Sequence, residues 1–564
     1  MKEIVFSLLE KELKGKIKKE EFEHLIEIPP SSEMGDFAFP CFALAKIEKK
    51  SPILIAEQLA EKFRKDLTKK SEISNVDAKA GYVNFFMNKR EMTEDVLNKI
   101  LKEQEDYGRG KEKSKILIEF SQPNTHKAFH VGHIRGTSLG ESLARTFEFL
   151  GNKVIRANYS GDTGMHIAKW IWCYQKFHKN EKLINDESWI AGIYVDAVKR
   201  LAKNEDLQKE VDEINRKIES KEDKKVNEIW SKTRELSIKS WDKIYKELGT
   251  YFNIHYFESQ VELEGKKIAL ELLDKGIAKK SDDAVIMDLK EDNLSVWVLL
   301  RKDGTVLYSA KDLALAIKKV KEFHADRYLV TVGDEQALHF QQLVKTLELM
   351  NFENKKDYNF LTYGMVRLPT GKMSSRTGDN ILYSDFMKEM MEYATEQIKK
   401  RYSDIKDKEL KDRALKICIS AIKYSMLKQD PHKIIVFSKE EALNFDGNTG
   451  PYLLYSYARA NSIVKKVKKK SKEIKIVDLK EQEIDLIKKL GDFPEVVKKS
   501  NRDLAPNLIA NYIYDLAQAF NEFYHECPVL GSAEEGLRLK LVEAFKIVMK
   551  SGLNLLGIQE IDEM

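Results

Sequence analysis

Ile116-Leu117-Ile118-Glu119-Phe120 is a short, mostly apolar run that Pro123-Asn124 interrupts, and a long helical pattern follows it. Leu139, Leu143, Phe147 and Leu150 recur at helical spacing, and Gly151 stands at a typical C-terminal stop. Val154 to Asn158 then reads as a second strand. Strand, helix and strand in close succession form the building block of a parallel sheet, whose ligand sites lie at the carboxyl ends of the strands. His130-Val131-Gly132-His133 opens the helix. A helix start offers free amides and the positive end of a dipole, which suits phosphate. Gly132 lets a flat ring approach the backbone, and His130 and His133 can donate to phosphate oxygens as charge develops. Taken alone, the tetrapeptide also fits a pair of capping or surface histidines.

A second motif lies far downstream. Gly371-Lys372-Met373-Ser374-Ser375-Arg376-Thr377-Gly378 is a polar, cationic, glycine-flanked loop suited to closing over a polyphosphate. Together the two motifs resemble the paired signatures of class I aminoacyl-tRNA synthetases. Ser121-Gln122-Pro123-Asn124, Gly161-Asp162-Thr163-Gly164 and the turn Phe445 to Tyr455 narrow the resemblance to the arginyl-tRNA synthetase family, over essentially the whole chain. The resemblance implies an α/β Rossmann-like catalytic core with a parallel sheet, an α/β N-terminal domain and an all-α anticodon-binding domain. It implies a ligase that activates L-arginine with ATP and transfers it to the 3' terminal ribose of tRNA(Arg), releasing AMP and pyrophosphate.

At 564 residues the chain is too long for one domain. Residues 1–110 read as an N-terminal α/β module and 111–395 as the catalytic domain. A charged helical insertion is expected at about 171–250, and a helical stem and anticodon-binding domain at 396–564. The insertion's charge run from Lys199 to Lys232 reads as a solvated face on projecting helices. A net charge of +5 is too small to establish a nucleic-acid partner, so that argument rests on local clusters. Cys41, Cys173, Cys418 and Cys527 form no CxxC pair, so reduced thiols, a cytoplasmic location and no zinc site are expected. No apolar run is long enough to span a membrane, and the first residues do not read as a secretion signal. A monomer is expected.

By resemblance, His130 and His133 contact ATP phosphates, with Gly132 between them. Lys372, Met373, Ser374 and Arg376 belong to the loop that clamps the pyrophosphate end. Ser375 stands where the family signature has its second lysine, and Lys127 is the candidate replacement. Mg²⁺ is implied with ATP, without a dedicated protein site. Arginine needs carboxylates facing its planar guanidinium. Glu119 is an acid at the end of an apolar strand, where a polar ligand would explain it; Asp312 beside Tyr308 also fits a first-turn acid favoured by the helix dipole. The family's arginine positions map onto Glu119, Asn124, Tyr308, Asp312 and Gln336. Its tRNA-contacting positions map onto Tyr82, Asn84, Tyr452, Tyr455, Tyr524 and Met564. An exposed aromatic beside an amide can stack on and bond an unpaired base. A core strand with one polar residue facing out explains Tyr82 and Asn84 equally well, and helix packing explains the later tyrosines. The lysines from 465 to 472 fit either RNA phosphates or a solvated face.

Two rival readings have discriminating features. A synthetase for another amino acid is disfavoured by Glu119 with Asp312, which call for a cationic side chain. An RNA-binding relative without catalysis would explain Ser375, but not the intact His130, Gly132, His133 and Lys372.

Overall fold

The computed structural model describes residues 2–13, 25–27, 29–68, 71–352, 357–367, 369, 382–402, 405–467, 476 and 478–564. Lys372, Met373, Ser374, Ser375 and Arg376 lie outside the described residues, as do Lys468, Lys469, Lys470 and Lys472. The chain forms two compact units.

One unit comprises Met1–Tyr107, Ala460–Pro494 and Asp515–Met549. Its sheet has the order β1 (Phe37–Pro40), β3 (Tyr82–Met87), β2 (Ile73–Lys79), all antiparallel. Ala80 and Gly81 both take positive φ, the backbone a two-residue hairpin between right-twisted strands requires. Helices α1 (Lys2–Leu13), α2 (Phe42–Glu48), α3 (Pro52–Lys65) and α4 (Lys89–Glu103) belong to the same unit. In its C-terminal part Phe520 stacks on Phe545 at 3.8 Å, and buried Arg538 pairs with buried Glu483 at 2.8 Å.

The other unit comprises Gly108–Arg459, Glu495–Tyr514 and Lys550–Met564. One division falls at Tyr107, and the C-terminal helical stretch is shared between the units. In chain order the elements that frame the site begin with β4 (Lys115–Glu119), α5 (Val131–Phe149) and β5 (Lys153–Ser160). Next come α6 (Met165–Cys173), α7 (Glu187–Lys203), α8 (Gln208–Ser220) and α9 (Lys224–Glu247). β6 (Ile254–Phe257), α10 (Glu262–Asp274), β7 (Lys279–Ser281), β8 (Ala284–Asp288) and β9 (Val296–Leu300) follow. α11 (Tyr308–Phe323), β10 (Arg327–Gly333), α12 (Ala337–Leu349), β11 (Tyr358–Tyr363) and α13 (Tyr383–Arg401) complete the frame.

The main sheet has the order β11-β10-β4-β5-β6, every pair parallel. Its strands are buried on both faces, as a covered parallel sheet requires: Leu117, Ala157, Tyr256, Val330 and Leu313 are buried together in one cluster, and Ile116, Ile118 and Leu329, of the opposite parity, are buried too. From β4 the chain winds outward through β5 and β6, then returns on the other side of β4 through β10 and β11. The winding direction reverses between β4 and β10, which opens a crevice at their carboxyl ends. β7, β8 and β9 stand apart as a small antiparallel sheet. Their links are too short for a crossover, which forces antiparallel pairing.

In the insertion the charged run forms a solvated face, as expected, but the thin apolar stripe beneath it also packs. Val211, Ile214, Ile218 and Val226 are buried against Ile167, Trp170, Ile171 and Ala197 from α6 and α7. Its charged residues cover the outer faces, while a thin apolar stripe is enough to build a separate small core.

Candidate active site

The crevice holds a cavity of about 660 Å³ lined on one side by Ser121, Gln122, Asn124, Lys127, His130, Gly132 and His133, and on the other by Val332, Gly333, Glu335 and Gln336. The loop after β4 is locally strained, with Ser121, Gln122 and His126 all at positive φ. Neighbouring side chains hold it there. Ser121 bonds the Tyr245 hydroxyl at 2.9 Å, and the Gln122 amide donates to Asn158 at 3.0 Å. The His126 amide donates to Ser237 at 3.1 Å, and its ring meets Thr233 at 2.7 Å. Tyr245, Ser237 and Thr233 all belong to α9, so the insertion buttresses the loop that delivers the histidines.

His130 caps α5, and His133 lies one turn on. The His130 amide donates to His133 Nδ1 at 3.1 Å, which leaves the His133 proton on Nε2. The two rings stack at 3.8 Å, and a Cβ on Gly132 would come within 3.0 Å of the His130 ring. Burial, with Lys127 behind it, pushes His130 down to about 4. Burial and the neighbouring His130 and Lys127 hold His133 well below the usual histidine range. Both are therefore neutral at pH 7 and present N–H donors without mutual repulsion. Lys127 lines the cavity, its ammonium 5.6 Å from the Tyr194 ring; burial and then Lys169 lower its pKa, against Glu258. Asn124 accepts from the Gly161 amide at 3.2 Å, and any Cβ on Gly161 would stand 2.4 Å from that oxygen.

Tyr308 and Asp312 open α11, and neither lines this cavity. Asp312 Oδ2 lies 2.6 Å from His339 Nε2, and the Tyr308 ring lies 4.8 Å from that of His339. Tyr308 is 59% exposed. Glu119 departs from the expectation of a carboxylate facing a ligand. It is buried, accepts from Lys319 at 2.7 Å and from Gln122 at 3.0 Å, and does not line the cavity. An acid on the last residue of β4 lies over α11, where Lys319 already meets its charge.

The expected exposed pair in the first unit is not presented. Asn84 sits on the central strand at 5% exposure, and half-buried Tyr82 packs edge-on against Phe42 at 5.3 Å. Tyr452 faces Tyr514 at 5.7 Å, and the Tyr455 hydroxyl accepts from Arg459 at 2.8 Å. Tyr452, Tyr455 and half-buried Met564 belong to the unit that carries the cavity, whereas Tyr524, 42% exposed, belongs to the other.

Sequence reasoning missed Glu187 and His339. The Glu187 carboxylate accepts the Phe129 amide at 3.0 Å and the Ser384 amide at 3.1 Å, and the Tyr383 amide donates back to the Phe129 carbonyl at 2.9 Å. It thereby ties the residue before His130 to the start of α13, just past the second motif. Burial, opposed by these amides, raises it to about 7. Among the described residues one group has metal-ligand geometry, Cys173, His178 and Asp196, within 4.8 Å of one another. Arg200 already donates to the same Asp196 oxygen at 2.8 Å, so an internal cation meets the charge a metal would need. Among the described residues no helix is long and apolar enough to cross a membrane.

Comparison with known proteins agrees along the chain. The family model for "tRNA synthetases class I (R), catalytic domain" matches residues 96–438, "DALR anticodon binding domain" residues 453–564, and "Arginyl tRNA synthetase N terminal domain" residues 3–87. The arginine–tRNA ligase of Clostridium acetobutylicum is 37% identical over 549 residues, 96% of each chain. That of Clostridium botulinum strain Langeland is 37% identical over the same span. Among solved structures, Thermus thermophilus arginyl-tRNA synthetase superposes with a TM-score of 0.82 at 25% identity, covering 100% of this chain and 99% of its own. The Plasmodium falciparum enzyme superposes at 0.78 and 22% identity, covering 100% and 98%. With all three family models matched and near-complete coverage of its relatives, the chain belongs to the arginyl-tRNA synthetase family, in class I.

Proposed function

We propose that this class I arginine–tRNA ligase divides its work between two faces of the crevice where the sheet winding reverses. ATP phosphates lie over the start of α5. There His130 and His133 donate to oxygens that gain charge as the arginine carboxylate attacks the α-phosphate and pyrophosphate leaves. Neutral imidazoles suit that task, since they stabilise charge without first releasing a proton. Lys127 supplies positive charge from the same loop, in place of the lysine that Ser375 removes. Lys372, Met373, Ser374 and Arg376 serve the pyrophosphate side. Mg²⁺ travels with ATP and shields its phosphates, while the protein holds the nucleotide through amides, imidazoles and Lys127.

Asn124, on the histidines' side of the cavity, addresses the α-amino or carboxylate end of arginine; Gln336 across the cavity, with Tyr308 and Asp312 outside its lining, addresses the guanidinium side. Glu119 acts at one remove, through the Gln122 side chain it holds. Tyr82, Tyr452, Tyr455, Tyr524 and Met564 contact tRNA(Arg). The four cysteines are free and buried, which suits a reducing cytoplasm. A monomer carries every site named.

The observation that carries this reading is the stacked, neutral histidine pair at a helix start inside the switch-point cavity. The test is ATP–pyrophosphate exchange with a panel of amino acids, with and without total tRNA. Exchange with arginine alone among the amino acids, dependent on tRNA, is the expected result. Exchange without tRNA keeps the site and removes the coupling; exchange with no amino acid overturns the site.

A further inference from the structure

Arginine selection needs a carboxylate held in one rotamer, because a guanidinium pairs well only with an acceptor that is already oriented. Asp312 sits on the first turn of α11, and His339 Nε2 at 2.6 Å is its bonded partner among the described residues. His339 is buried on α12, one turn beyond Gln336. Its other nitrogen, Nδ1, lies 3.1 Å from Nε1 of buried Trp297 on β9. An indole N–H can only donate, so Nδ1 must accept. The imidazole proton of the neutral ring is then fixed on Nε2, where it donates to Asp312 Oδ2. Oδ1 is left for a ligand. The same ring packs against Tyr308 at 4.8 Å. Close by, Gln342 donates to the Leu294 carbonyl at 2.6 Å, fastening α12 to the segment that leads into β9. Two of the proposed arginine contacts, Tyr308 and Asp312, touch this ring, and a third, Gln336, lies one turn from it.

The geometry points to His339 as a positioning residue for arginine selection: with its tautomer set by Trp297, it holds Asp312 in the orientation that presents Oδ1 to the guanidinium. This rests on the reading of Asp312 as a guanidinium acceptor. His339 touches no reacting atom, so its loss raises the KM for arginine and leaves the KM for ATP.

The test compares His339→Gln with His339→Asn in the full-length enzyme, by arginine and ATP KM in tRNA-supported pyrophosphate exchange. Glutamine carries an N–H donor where Nε2 stands; asparagine is too short to reach Asp312. Expected are an arginine KM within about threefold of the parent for His339→Gln, and one raised about 10- to 100-fold for His339→Asn, as for a lost hydrogen bond to a charged group. ATP KM stays unchanged in both. Equal arginine KM values in the two variants overturn the inference, as does a parallel rise in both substrates' KM, which marks a merely structural role. Asp312→Ala separates the two layers. If it raises the arginine KM while His339→Asn does not, the acceptor reading stands and the positioning inference falls. If Asp312→Ala leaves the arginine KM unchanged, the acceptor reading itself falls.

Discussion

The proposed phosphate face and the proposed arginine face are built in opposite ways. Lys127, His130, Gly132 and His133 fall within one loop and one helical turn, and each touches or flanks another. Tyr308 and Asp312 come instead from one helix, and Gln336 and His339 from the start of another, with Tyr308 and Asp312 meeting a single imidazole backed by Trp297. The first face is a property of a local sequence that needs a fold to present it. The second exists only once the fold has formed. Perturbing the first should therefore act on chemistry, and perturbing the second on recognition.

The largest expected effect is at the phosphate face. His133→Ala should lower kcat for pyrophosphate exchange about 10²- to 10³-fold, the usual cost of one preorganised donor. The arginine KM should change little; a large change would erase the contrast. Asp312→Asn should do the reverse, raising the arginine KM about 10- to 100-fold by removing a charged acceptor, with a smaller effect on kcat.

A pH profile sharpens the contrast further. His130, pushed down to about 4, stays neutral through the ordinary histidine range. The kcat/KM for ATP should thus show no loss from this residue between about pH 7 and 5.5. A decline centred near 6.5 that disappears in a His130 variant would mean that a charged imidazole matters after all.

The smallest effect concerns the strap between the two motifs. Glu187→Gln leaves one backbone amide without its carboxylate and should cost about 1–2 kcal/mol of stability at neutral pH. The sign with pH follows from the raised value. The carboxyl stands at about 7 when folded against an ordinary 4.5, so the stability it contributes is complete below about 4.5 and lost as pH rises through 7. Urea denaturation from pH 4.5 to 7.5 should show that decline in the parent and a flatter profile in the glutamine variant.

This contrast also explains what could be read in the sequence. The run from Ile116 to Asn158 announced a parallel unit, and the observed strands differ from the reading by one or two residues at their ends. Gly151 ended the helix as expected, at positive φ. His130 and His133 were legible because helix start, glycine and histidines are contiguous. Glu119 misled because its partner, Lys319, is remote in sequence, and an acid at a strand end looks the same whether it meets a ligand or a lysine. Asn84 misled because a strand pattern does not reveal that the strand is central, flanked on both edges. Glu187 and His339 gave no signal at all. A glutamate opening a charged helix and a histidine on an apolar one are ordinary until topology brings Phe129, Ser384, Asp312 and Trp297 to them.

The positive-φ loop after β4 bears on protein engineering. Its contorted backbone leans on Thr233, Ser237 and Tyr245, which the chain supplies from the inserted helices. Trimming those helices to obtain a minimal catalytic fragment would leave the loop free to relax toward commoner dihedrals, and the histidines would drift with it. Transplanting the histidine motif into another parallel sheet would fail for the same reason unless the three hydroxyl groups travelled along. The insertion is thus not a removable ornament, and homologous recombination between related enzymes should tolerate crossovers on either side of the loop-and-α9 pair but not between its two halves.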